Sequence, residues 1–106
     1  MKVEQHRATR HVLVARVEVV DLGSERQLIA RTGNLSAFGC FIETPAPFAR
    51  GTRIRLRITH RGSTFAAVGS VMDVRPKGMG VRFGTLEPAQ QQILESWLAQ
   101  LRNGTN

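Results

Sequence analysis

The chain has 106 residues, 42% of them hydrophobic, with ten glycines, four prolines and one cysteine, a size and composition that fit one globular domain and exclude a disordered, collagen-like or disulfide-stapled protein. Fifteen basic residues against eight acidic ones leave a formal charge of +7, and all the basic residues except Lys2 and Lys77 are arginine; a guanidinium forks onto phosphate and stacks on flat rings, so an anionic partner suits this composition. No apolar run approaches the roughly 20 residues of a membrane span, and MKVEQHRATR lacks the apolar core of a signal peptide, so the expectation is a cytoplasmic protein with no membrane partner, in which the lone Cys40 is a small buried residue.

Residues 1–10 read as a flexible basic arm. His11 to Asp21 (HVLVARVEVVD) is valine-rich and alternates, with Leu13, Ala15, Val17 and Val19 on one side, which predicts a strand. LGSER (22–26) is a turn, 27–33 a second strand and Phe38 to Thr44 a third. Between the last two, NLSA bends the chain, and PAPFARG (45–51) is a loop. Thr52 to Thr59 has the cleanest period of two, with Ile54, Leu56 and Ile58 facing one way and Arg53, Arg55 and Arg57 the other.

Arg61-Gly62 turns the chain into a long strand, Ser63 to Arg75, with Phe65, Ala67, Gly69 and Val71 on one side and Gly69 a candidate bulge. After Pro76-Lys77-Gly78 comes the short strand MGVRF. From Pro88 the period lengthens to about 3.6, and Ile93, Leu94, Trp97, Leu98 and Leu101 form one stripe of a helix over about 88–102 that ends at Asn103-Gly104. The sum is mainly β: a six-stranded antiparallel, Greek-key-like barrel over 11–106 with a C-terminal helix.

The polar residues of NLSAFG invite two readings. Asn34 and Ser36, two apart in an extended segment, either bond nearby backbone in a turn or face a ligand together. Gly39 either marks a bulge or admits a close approach where a Cβ would intrude. The Arg53, Arg55, Arg57 stripe is either the solvated outer face of an edge strand or a surface for nucleic acid or an acidic partner. Tyrosine is absent and the one tryptophan sits at helical core spacing, which argues against a stacking platform for single strands. His6, His11 and His60 form no metal-ligand set, and no catalytic triad, carboxylate pair or phosphate loop can be named, so neither metal, cofactor nor enzyme is expected.

Taken in order, the arginine-bearing arm, NLSAFG followed by GCFIET, and GMGVRF at 78–83 resemble the PilZ domain family, whose pattern is an N-terminal RxxxR, then D/N-x-S-x-x-G, then a late glycine-glycine-hydrophobic-R-F strand. The resemblance runs from about Arg7 to the final helix. It implies a cyclic di-GMP receptor in which Arg7 and Arg10 hold phosphate and purine while Asn34, Ser36 and Gly39 form the fixed half of the site, with a downstream protein partner. The first motif departs from the pattern: His6 stands where the first arginine belongs, so His6 is a secondary contact. One charge-assisted bond fewer corresponds to about 1.5–3 kcal/mol, or roughly ten- to a hundredfold weaker binding. The alternatives are a family adaptor that acts by protein contact without nucleotide, and, ranked below it, a basic nucleic-acid-binding barrel.

Overall fold

A computed structural model describes residues 8–104 of the chain; His6 and Arg7 lie outside the described residues. The strands are β1 (His11–Val12), β2 (Arg16–Asp21), β3 (Gln27–Leu35), β4 (Gly39–Glu43), β5 (Arg53–His60), β6 (Ser63–Arg75) and β7 (Gly78–Phe83), followed by the helix α1 (Pro88–Arg102). Around the sheet the order is β3, β2, β5, β6, β7, β4, and β4 pairs back onto β3. The result is a closed six-stranded antiparallel barrel, the architecture expected from the sequence, with β1 as a short extra piece on β3.

The predicted first strand is divided in two. β1 and β2 lie along the same edge of β3, and between them the side chain of Thr32 enters the ladder. Ala15 donates its backbone N–H to Thr32 Oγ1 at 3.1 Å, and the Thr32 hydroxyl donates to the carbonyl of Leu13. Thr32 is fully buried, and these bonds satisfy a hydroxyl that would otherwise be costly in the core. Leu13, Ala15, Val17 and Val19 remain buried across the break, as their alternation requires.

β5 buries Ile54, Leu56 and Ile58 completely and exposes Arg53, Arg55 and Arg57. It is hydrogen-bonded to β2 on one side and to β6 on the other, so the sequence reading of an edge strand is wrong. Gly69 is not a bulge either. A Cβ there would lie 2.4 Å from the carbonyl oxygen of Arg82, so the glycine lets β7 come close where β6 and β7 begin to pair.

Two register shifts do occur elsewhere. One falls between Thr32 and Asn34 on β3 where it meets β4, the other between Val71 and Asp73 on β6 where it meets β7. Side chains in a strand alternate with period two, so one extra residue reverses the faces of all that follow. On β3 the buried positions change from Thr32 to Leu35, which turns Asn34 outward. On β6 Val71 is the last fully buried residue, and Met72 through Arg75 are exposed.

The helix closes one end. β7 reaches β6 only as far as Gly69, which leaves the earlier part of β6 without a strand neighbour on that side. Gln90 supplies one bond instead, its Oε1 accepting from the N–H of Ala66 at 2.8 Å. Leu94, Trp97 and Leu98 are buried, and the Trp97 ring meets His60 edge-on at 5.3 Å and Phe65 at 6.1 Å. The predicted apolar stripe is therefore core. Phe48 from the proline-containing loop is buried as well, with Arg26 stacked over its ring at 5.4 Å.

Burial beside the helix, and next the charge of Arg61, hold the His60 imidazole below its ordinary value of 6.5. The unfolded chain therefore takes up this proton more readily than the folded one. The stability linked to His60 is complete above 6.5 and is lost as the pH falls through the lower folded value. Urea denaturation at pH 7 and pH 5 should show a loss on acidification that is smaller in His60→Gln. An equal loss in both proteins would remove His60 as a contributor.

Candidate functional site

Both bulges face one place. An open concavity of about 980 Å³ lies on the outer face of the barrel where β3, β4, β7 and the end of β6 meet, and Arg10, Asn34, Ser36 and Gly39 all line it. Four of the sequence-derived site residues are thus brought together. Arg7 and His6 fall outside the described residues.

Arg10 leads into β1, which pairs with the end of β3 through Val12 and Asn34. That pairing carries the guanidinium across to the turned-out amide, and Arg10 Nη1 donates to Asn34 Oδ1 at 3.0 Å. With its oxygen engaged, Asn34 keeps the two N–H donors of its amide for another acceptor. Arg10, at the end of the leader, and the polar corner of the barrel are in direct contact.

Ser36 and Gly39 are built differently from Asn34. Ser36 is buried, and its hydroxyl oxygen accepts from the N–H groups of Phe38 and Gly39, both at 3.2 Å, while its own N–H donates to the Gly39 carbonyl at 2.8 Å. This is the turn reading of the serine: it fixes the bend from β3 into β4. Gly39 pairs with Arg82 of β7, and a Cβ on it would lie 2.0 Å from the Val81 carbonyl oxygen. The close approach anticipated at this glycine is made by the protein's own backbone.

Cys40 sits directly behind this corner, fully buried. Burial pushes its thiol up to about 12, with the charge of Arg10 opposing the shift, so it remains a neutral packing residue at physiological pH.

Sequence reasoning missed most of the lining. Phe38, Phe41, Met72, Asp73, Arg75 and Arg82 also line the concavity. Phe38 and Met72 are among the most exposed large apolar side chains of the chain, and with Phe41 they form an apolar wall beside the cations. Arg75 Nε donates to Asp73 Oδ2 at 2.8 Å; in an exposed pair this is worth about 0–1 kcal/mol, so the guanidinium is readily exchanged to an incoming anion. The GMGVRF segment contained the signal for Arg82, since an arginine between Val81 and Phe83 in a half-buried strand must face outward. Asp73 and Arg75 carried no such signal, because regular alternation from Phe65 to Val71 places both on the core side.

Chemically, the concavity offers the guanidiniums of Arg10, Arg75 and Arg82, amide donors and a flat apolar wall. That set suits a ligand joining anionic groups to planar rings.

A model of the PilZ domain family matches residues 4–100 of the chain, and no curated protein sequence matches it. Among solved structures, the inhibitor of motility MotI (DgrA) of Bacillus subtilis superposes with a TM-score of 0.79 at 17% identity, covering 96% of this chain and 53% of that one. The PilZ domain of YcgR from Escherichia coli, solved with c-di-GMP, gives 0.76 at 15% identity, covering 95% and 94%. The PilZ domain of CeSA from a cellulose-synthesizing bacterium gives 0.72 at 16% identity, covering 89% and 98%. This chain therefore spans about half the length of MotI and nearly all of the isolated domains.

Proposed function

The chain belongs to the PilZ domain family, and from that premise we propose that it is a noncatalytic cytoplasmic receptor for cyclic di-GMP. The observation that carries this reading is the Arg10 to Asn34 hydrogen bond at the wall of a concavity that also holds Arg75, Arg82 and the Phe38, Phe41, Met72 surface. Cyclic di-GMP presents two phosphates and two guanines. Arg10 reaches a phosphate or the O6/N7 edge of a guanine with a two-pronged contact, and Asn34 donates its amide N–H groups to a guanine acceptor. Ser36 and Gly39 hold the corner in shape. Arg75 and Arg82 supply the second anionic contact, and the apolar wall takes a purine face.

His6 and Arg7 enter this reading through the family pattern alone, as further contacts to the bound nucleotide. Binding there changes the surface presented to a protein partner. Support for an effector role comes from MotI, an inhibitor of motility and so a protein that acts on something else.

Titration calorimetry with cyclic di-GMP is the direct test: saturable heat is expected, and neither heat nor amide shifts at high micromolar ligand would exclude the receptor. In the same assay Asn34→Ala should weaken binding by about 1–3 kcal/mol, or roughly five- to 150-fold. Undiminished affinity would take Asn34 out of the site.

A further inference from the structure

Arg53, Arg55 and Arg57 project, exposed, from one face of β5, and none is in an ion pair among the described residues. Side chains two apart on a strand lie about 6.8 Å from each other, so three like charges on one face repel one another. Such a stripe protects an exposed edge from pairing with other chains, but β5 has no open edge, being bonded along its length to β2 and β6. The cost of crowding these cations has no return within the fold.

The neighbours of the stripe indicate what covers it. Val20 of β2 lies opposite Arg55, and Ala66, Val68 and Ser70 of β6 lie opposite Arg57, Arg55 and Arg53, so the guanidiniums stand on a half-buried floor of small side chains. Glu18 lies opposite Arg57, but its carboxylate bonds Arg16 at 3.2 Å, so it does not neutralise the stripe. Every cation of the face is arginine, the basic residue enriched at protein interfaces, where lysine is depleted. The face also adjoins the concavity, because Ser70 pairs with Arg53 on one side and with Arg82 on the other.

We propose that the outer face of β5, centred on Arg53, Arg55 and Arg57, is a docking surface for an acidic protein segment. It is separate from the nucleotide residues, so docking and cyclic di-GMP binding fail independently.

The test uses the full chain and a decaglutamate peptide followed by amide shift mapping. Shifts centred on residues 53–57 and 16–20 are expected, fading as salt is raised. Arg53→Gln/Arg55→Gln/Arg57→Gln should weaken the peptide about tenfold or more, whereas Arg26→Gln/Lys77→Gln/Arg102→Gln, which removes the same charge elsewhere, should weaken it far less. Equal losses in the two triple variants, or shifts spread over the whole surface, overturn the proposal. So does short duplex DNA that binds the same face more tightly than the peptide. Calorimetry with cyclic di-GMP on the β5 variant should match the unaltered protein.

Discussion

Gly39→Ala is expected to destabilise the ligand-free protein by about 3 kcal/mol or more, at the upper end of what an extra methyl in a packed interior costs. The added carbon would lie 2.0 Å from the Val81 carbonyl oxygen and 3.2 Å from the Cα of Arg82. Both contacts are backbone, so no side-chain rotation relieves them. β4 and β7 would have to separate at the Gly39 to Arg82 pair, beside the turn that Ser36 holds, and the closure of the barrel would loosen there. A urea titration without nucleotide shows this as a large fall in the transition midpoint. An unchanged midpoint with lost nucleotide affinity would mean instead that the glycine makes room for the ligand.

Phe65→Ala should cost about 3–5 kcal/mol, the usual penalty for emptying a large aromatic site. Phe65 is the largest fully buried side chain, its ring lies 5.1 Å from that of Phe83 and 6.1 Å from that of Trp97, and it thereby joins the barrel interior to the helix. The surroundings collapse little into the space, because β5 is bonded on both sides and the helix is tied to this part of β6 through Gln90 and Ala66. Phe65→Leu, which retains most of the volume, should cost about 1.5 kcal/mol or less. Equal and small losses for the two variants in chemical denaturation would show that the helix, rather than the ring, organises this end.

The barrel was legible because its core is written in alternation. Ile54, Leu56 and Ile58, or Phe65, Ala67 and Val71, assign the inner face without reference to the rest of the chain, and the longer period after Pro88 sets the helix apart. What was hidden is where alternation slips. A register shift leaves no mark in composition: Gly33 and Met72 are unremarkable as residues, yet the shifts beside them decide that Asn34, Asp73 and Arg75 face outward. The motif around Asn34 marked that half of the site, whereas nothing marked the β6 half. The role of β5 was misjudged for a related reason, since a local pattern shows which face is wet but not whether the strand has one neighbour or two.

The shift beside Met72 makes the reach of the concavity depend on chain length as much as on chemistry. Deleting Met72 would restore even pairing with β7 and leave Asp73 opposite Gly80, so that the carboxylate and the guanidinium stayed outward while the thioether left the apolar wall. Losing a single codon is therefore a short evolutionary route to a barrel of the same build that keeps its anion contacts and changes the surface offered to a ring. Insertions and deletions at this point, more than substitutions, are where kindred chains that differ in ligand response should be sought.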